Sequence, residues 1–253
     1  MGAGGPTAGS RDPALVGQAL CEGLKRLGLE PTPAQLERLA VYRAELLRWG
    51  ARINLTGFTT EDQFVREGFL RSISYKAAFH PAPGMRAVDI GSGAGFPGLV
   101  LKICYPEIDM LLVEASRRRA SFLRSLIRHL GLPDVRCLHG RAEQLHGEVE
   151  HRARYQVAFA RAVGAPPEVV ALAVPLLAPG GRLVLQVGRR RAASVSQDRR
   201  TLIESGLAVG TCVAQAVDPG MQPTELLVIE KPLGGCLPAA TNPTRELSER
   251  RQP

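Results

Sequence analysis

The stretch Asp89-Ile90-Gly91-Ser92-Gly93-Ala94-Gly95-Phe96-Pro97-Gly98 sets four glycines and one carboxylate where a turn could cradle a ligand. Glycines there permit positive φ and let a ligand approach bare backbone. Pro97 suits the first turn of a helix, whose free N–H groups would face the same turn. Glu114 stands at the end of the next expected strand, where a carboxylate can accept hydrogen bonds from both hydroxyls of a ribose. Together these groups imply recognition of a nucleoside-containing ligand. No metal set accompanies them. The five cysteines (Cys21, Cys104, Cys137, Cys212, Cys236) form no C-x-x-C pair, and the five histidines, His129 and His139 among them, lack ligand spacing. No metal and no disulfide framework are expected, and idle thiols suit a reducing cytoplasm.

These residues need elements to hold them. Residues 1–11 read as a Gly- and Ala-rich disordered tail and 12–82 as a helical extension. Leu15, Ala19, Cys21, Leu24 and Leu27 give a first apolar stripe, ended by Gly28. A second helix opens at Thr32-Pro33 and presents Leu36, Leu39, Leu46, Leu47 and Trp49. A third is expected from Thr60 to Phe79, before the linker Pro81-Ala82-Pro83-Gly84.

Residues 83–231 alternate strands and helices. Strands are expected at Ala87–Ile90, Met110–Val113, Val135–Leu138, Gln156–Ala160 and Leu183–Val187. Helices fit at Pro97–Cys104, Arg117–Leu130, Pro166–Leu177 and Arg191–Ser205. Such alternation dictates right-handed crossovers and a parallel sheet. Two later β-rich stretches, Leu207–Val217 and Glu225–Glu230, are too close for a crossover helix and must pair antiparallel. The expected fold class is α/β: a doubly wound, Rossmann-like seven-stranded sheet with an antiparallel last strand, plus an N-terminal helical extension. Residues 232–253 are expected to form a disordered tail. No apolar run approaches the roughly 20 residues that span a bilayer, so no membrane partner is expected.

The glycine turn admits two ligands. Gly93-x-Gly95-x-x-Gly98 matches a dinucleotide fingerprint. If the strand ends at Ile90, however, the turn runs from Gly91 to Gly95 and its sixth residue is Phe96, not glycine. In that register Asp89-x-Gly91-x-Gly93-x-Gly95 resembles the first motif of the S-adenosylmethionine-dependent methyltransferases. A closer resemblance spans residues 36 to 188. Trp49-Gly50-Ala51-Arg52-Ile53-Asn54-Leu55-Thr56 is similar to the W-N-x-x-x-N-L-T signature of the ribosomal RNA small subunit methyltransferase G family, also called glucose-inhibited division protein B. Gly91 through Gly98 with its Phe-Pro-Gly matches too, as do Glu114-Ala115, Arg118-Arg119, Phe122-Leu123, Gly140-Arg141-Ala142-Glu143 and Ala160-Arg161-Ala162-Val163.

That resemblance implies S-adenosyl-L-methionine as cofactor and N7 of a guanine in 16S ribosomal RNA as acceptor. By position it implies cofactor contacts at Gly91, Gly93, Gly95, Phe96, Glu114, Ala142, Glu143 and Arg161, with Arg161 also the catalytic candidate. It further implies a cytoplasmic monomer whose partner is the 16S RNA or the small-subunit particle. Two stretches depart from the family pattern. Where it reads R-H-x-L-D-S-L, this chain has Glu67-Gly68-Phe69-Leu70-Arg71-Ser72-Ile73, and where it reads Lys-Gly, this chain has Val187-Gly188. A divergent methyltransferase with another acceptor, or a non-catalytic RNA-binding relic, are the alternatives these departures leave open.

The charge agrees with an RNA partner. The formal net charge is +8, and 28 of the 32 basic residues are arginine, which suits phosphate and base recognition. Arg117, Arg124 and Arg128 share one helix face, and Arg189 and Arg190 follow the fifth strand, so both groups are candidates for RNA phosphates; a solvated helix face is the competing reading. Trp49 and Tyr42 offer rings for base stacking, with core packing the competing reading for Trp49. Guanine N7 has a free lone pair and loses no proton on attack, so no general base is required.

Overall fold

The computed structural model describes residues 13–50, 52–58, 60–186, 192–214, 216 and 221–234. Its strands are β1 Arg86–Ile90, β2 Asp109–Glu114, β3 Val135–His139, β4 Tyr155–Arg161, β5 Leu177–Gln186, β6 Ala208–Ala214 and β7 Thr224–Glu230. They form one sheet in the order β3-β2-β1-β4-β5-β7-β6. Strands β1 to β5 run parallel, and β7 lies antiparallel between β5 and β6. The expected hairpin and antiparallel last strand are both present.

The helices of the extension are α1 Pro13–Arg26 and α2 Pro33–Gly50. The third expected helix is a composite: α3 Glu61–Gln63, a π-helical stretch Phe64–Leu70, α4 Arg71–Ile73 and a 3₁₀ end Ser74–Ala78. Side-chain hydroxyls loosen it, since Ser72 Oγ donates to Gly68 O at 2.6 Å and Ser74 Oγ to Arg71 O at 2.7 Å. Along the rest of the chain lie α5 Gly98–Cys104, α6 Arg117–Leu130, α7 Pro166–Ala173 and α8 Ala192–Glu204. Helix α7 ends before the expected Leu177 because the distant Lys231 Nζ takes the carbonyls of Val174 (3.0 Å) and Leu177 (2.6 Å), and β5 begins there.

Side chains alternate across the sheet, so it divides the core in two. Ala87, Met110, Leu112, Val157, Phe159 and Val184 face the extension, α5 and α6. Val88, Ile90, Leu111, Val113, Ala158 and Leu183 face α7 and α8. The extension therefore covers one face of the sheet and continues its core. Among the described residues no helix is long and apolar enough to cross a membrane. The expected tails over 1–11 and 232–253 fall outside the described residues, save 232–234.

Candidate functional site

Strand order reverses between β1 and β4, which opens a crevice beyond the carboxyl ends of those two strands. The glycine turn forms one lip. Gly91 N–H donates to Val113 O at 2.9 Å and so ties the turn to β2. Gly93 and Gly95 have φ of +58° and +98°, which other L-residues adopt only at a cost. A Cβ on Gly95 would collide with the Tyr42 hydroxyl, whereas one on Gly93 would meet nothing nearer than Gly91 O at 3.8 Å. Gly93 is thus the face left open to a ligand, and Gly95 the face packed on α2.

Two carboxylates flank that turn. Glu114 is buried and accepts N–H bonds from Gly93 (2.8 Å) and Ser116 (2.7 Å), one on each oxygen. Asp89 lies deeper in β1. Its Oδ2 accepts the Gly98 N–H at 3.1 Å, and its buried Oδ1 has no partner among the described residues. Burial pushes the Asp89 carboxyl up to about 7, with the Glu114 charge adding and the Gly98 and Ser92 hydrogen bonds and Arg161 opposing. Ala142 and Glu143 follow β3; Ala142 is buried and Glu143 exposed in a 3₁₀ turn, Ala142–Gly147. Gly140 N–H donates to Glu114 O at 3.0 Å, so this turn sits beside Glu114.

Arg161 ends β4 on the other lip. Its guanidinium carbon lies 5.9 Å from the ring centroids of both Phe58 and Phe96, and its Nη1 is buried without a partner among the described residues. Burial holds its pKa below the ordinary arginine value; nearby Arg71 lowers it further, while Tyr75, Glu67 and Asp89 raise it. Two buried tyrosines of the extension support the crevice: Tyr42 donates to Ala94 O at 2.6 Å and Tyr75 to Ala160 O at 3.1 Å. Beside Arg161 runs the π-helical stretch. A Cβ on Gly68 would stand 2.8 Å from Phe96 Cζ, so the bare backbone lets this helix close on the Phe96 ring.

The crevice therefore brings together Gly91, Gly93, Gly95, Phe96, Glu114 and Arg161, with Ala142 and Glu143 beside Glu114. Arg117, Arg124 and Arg128 are exposed on α6. Of these, Arg124 Nε donates to Cys137 O of the edge strand β3 at 3.3 Å, so that side chain also covers a sheet edge. Arg189, Arg190, Val187 and Gly188 lie outside the described residues. Tyr42 is no RNA-stacking ring, because it is fully buried under the turn. Trp49 packs edge-on against Phe122 at 5.7 Å and donates its indole N–H to Glu45 at 3.1 Å.

Sequence reasoning did not name Asp89, Phe58, Tyr75, Glu67 or Thr224 as site residues. Asp89 carried a signal: a carboxylate between Val88 and Ile90 in a parallel strand buried on both faces is forced out of water. The histidine spacing also hid two contacts of one histidine. His151 Nε2 lies 3.1 Å from Glu150 and 3.6 Å from Glu148, at the end of the sheet away from the crevice.

The family model for rRNA small subunit methyltransferase G matches residues 35–217. The ribosomal RNA small subunit methyltransferase G of Roseiflexus sp. is 39% identical, over 81% of this chain and 86% of its own length. The protein of the same name from Chloroflexus aggregans is 37% identical over 84% and 88%. Among solved structures, precorrin-6Y C5,15-methyltransferase from Geobacter metallireducens aligns with a TM-score of 0.51 at 14% identity, covering 70% of this chain and 91% of its own. TYW2 of M. jannaschii in complex with AdoMet aligns at 0.50 and 13%, covering 72% and 78%. These two likenesses speak to the fold. The length matched by the family model and the identity to the Roseiflexus protein go further: the chain belongs to the rRNA small subunit methyltransferase G family.

Proposed function

We propose that this chain transfers the methyl group of S-adenosyl-L-methionine to N7 of a guanine in 16S ribosomal RNA, as a cytoplasmic monomer acting on that RNA or on the small-subunit particle. The observation that carries the reading is the turn at Gly93, open on its ligand side and latched to a buried Glu114. The residues present fit the cofactor. Glu114 would hold the ribose hydroxyls, with Ala142 and Glu143 at the adenine end. Arg161 Nη1 and Asp89 Oδ1, without partners among the described residues, offer a cation and an acceptor for a carboxylate and an ammonium, the two charged ends of an amino acid.

When bound, S-adenosylmethionine supplies an electrophilic methyl group on a sulfonium. The protein's share is to position and to exclude water. Phe58 and Phe96 flank the Arg161 guanidinium and keep it out of solvent, so its charge acts at low local dielectric. An acceptor nitrogen with a free lone pair loses no proton on attack, so the transfer needs no general base. The extension (12–82) and the sheet domain (83–231) work as one unit in this reading, because Tyr42 and Tyr75 hold both lips. Arg117, Arg128, Arg189 and Arg190 would meet RNA phosphates, with Arg124 shared between RNA and the sheet edge.

The test is mass spectrometry of 16S RNA from a deletion strain. One 7-methylguanosine should disappear, return with the wild-type gene and stay absent with Arg161→Ala, a variant that should still fold. Unchanged 7-methylguanosine in the deletion strain would end this reading.

A further inference from the structure

The departures at Glu67 and Arg71 form a structure of their own. Arg71 is buried, and its guanidinium grips Glu67 with two bonds, Nε to Oε2 at 2.6 Å and Nη2 to Oε1 at 2.8 Å. Its remaining edge donates from Nη1 to the buried Thr224 Oγ1 at 2.9 Å. Thr224 opens β7, two residues before Leu226, whose partner in β5 is Gln186, itself paired with Arg161. The fork therefore bolts the end of the π-helical stretch to the start of β7, on the Arg161 side of the crevice. Between Glu67 and Arg71 lies Gly68, which touches Phe96, and Phe96 in turn packs on Arg161. Glu67 also balances charge. The Arg71 hydrogen bond, working against partial burial, holds its carboxyl below the usual range, and Arg71, Arg161 and Arg66 add to that. The family pattern places arginine and aspartate at these same two positions, so this chain carries the pair with its signs exchanged.

We propose that Glu67 and Arg71 act as one positioning device for methyl transfer, a charge-exchanged pair that fixes the acceptor-side wall and, through Gly68 and Phe96, the Arg161 guanidinium. Neither residue is among the cofactor contacts proposed above. The proposal rests on the methyltransferase reading but can be separated from it. It explains how two family residues can be replaced together: positions i and i+4 remain neighbours on a helix whichever of them carries the cation.

The experiment uses the full chain in four forms: wild type, Glu67→Gln, Thr224→Val and the double exchange Glu67→Arg with Arg71→Asp. Each is measured for single-turnover methyl transfer to small-subunit particles from a deletion strain, for S-adenosylmethionine affinity by calorimetry, and for amide hydrogen exchange over residues 61–78. Glu67→Gln should slow transfer about 30-fold while cofactor affinity stays within about twofold, because a misplaced wall affects orientation rather than cofactor binding. Thr224→Val should slow it about threefold. The double exchange restores the pair but not the Arg71 bond to Thr224, so it should recover transfer and exchange protection to about the level of Thr224→Val; since it restores the pair, it decides the matter even if Glu67→Gln fails to fold. A double exchange no better than Glu67→Gln, or cofactor affinity lost in step with the rate, overturns the proposal. If the wild-type chain leaves the particles unmethylated, the functional reading fails; the exchange measurement, which needs no RNA, still shows whether the two residues work as a pair.

Discussion

On the β1–β2 lip the holding groups are backbone: the N–H groups of Gly93 and Ser116 on Glu114, and that of Gly98 on Asp89. On the β4–β7 lip they are side chains: Glu67 on Arg71, Arg71 on Thr224, and two phenyl rings on Arg161. Every residue but proline supplies a backbone N–H. The first lip therefore depends on chain path, and its demands fall on the residues that set the path, glycines and two fixed acids. The second depends on pairs, and a pair tolerates exchange of its members so long as both change. The contrast suggests that drift in this protein should concentrate on the second lip, where Gly68 and Arg71 already depart from the family pattern.

Asp89 breaks the contrast most sharply, because it is a charge on the backbone-built lip. Its carboxyl is raised from 3.8 to about 7, chiefly by burial. A group raised on folding adds stability that is fully present below about pH 4 and lost as pH rises through about 7. Unfolding free energy should therefore fall by about 4 kcal/mol between pH 4 and pH 8 from this group alone. Bound cofactor should remove part of that loss by placing a cation near Oδ1. Asp89→Asn should flatten the profile while its amide oxygen keeps the Gly98 N–H. Urea titrations at several pH values measure this; an Asn variant with the wild-type slope would show that Asp89 is not the source.

The support beneath the turn comes next in size. Gly95→Ala must move the Tyr42 hydroxyl while holding a left-handed φ, at a cost of about 2–3 kcal/mol. Tyr42→Phe removes only the donor to Ala94 O and should cost about 1–2 kcal/mol. Both should weaken cofactor binding, measured by calorimetry, because the shared defect is turn geometry. Full affinity in Gly95→Ala would mean that the extension does not shape the cofactor lip.

Legibility in the sequence follows the same division. Strand periodicity, the turn and Glu114 were readable because each rests on local backbone rules, and helix α6 falls on the expected Arg117–Leu130. The composite helix read as one plain helix, since nothing in its apolar spacing distinguishes a π-helical stretch whose Gly68 carbonyl is bonded by Ser72 and which is followed by an Arg71 carbonyl bonded by Ser74. Thr224 as a partner of Arg71, and both carbonyl partners of Lys231, were invisible because they lie 153 and 54–57 residues away in sequence. The lysines are instructive in a chain so rich in arginine. Lys76, Lys102 and Lys231 each bring an ammonium to two backbone carbonyls, Lys76 and Lys231 at helix ends and Lys102 in the loop after α5. A compact ammonium with three donors fits that task better than a planar fork. Composition flagged the scarcity of lysine and gave no hint of its use.

The smallest effect concerns α6, which flanks the cofactor lip. If RNA runs over this helix, Arg117→Ala and Arg128→Ala should each weaken binding of small-subunit RNA uniformly and reduce the log–log salt slope by about 1. Arg124→Ala separates surface from scaffold on the same face. Its guanidinium already covers Cys137 O at the sheet edge, so its loss should lower stability slightly and change the slope by less than either neighbour. Three equal slopes would make α6 a single phosphate track and extend RNA contact to the backbone-built lip; three unchanged slopes would confine the RNA to the Arg161 side of the crevice.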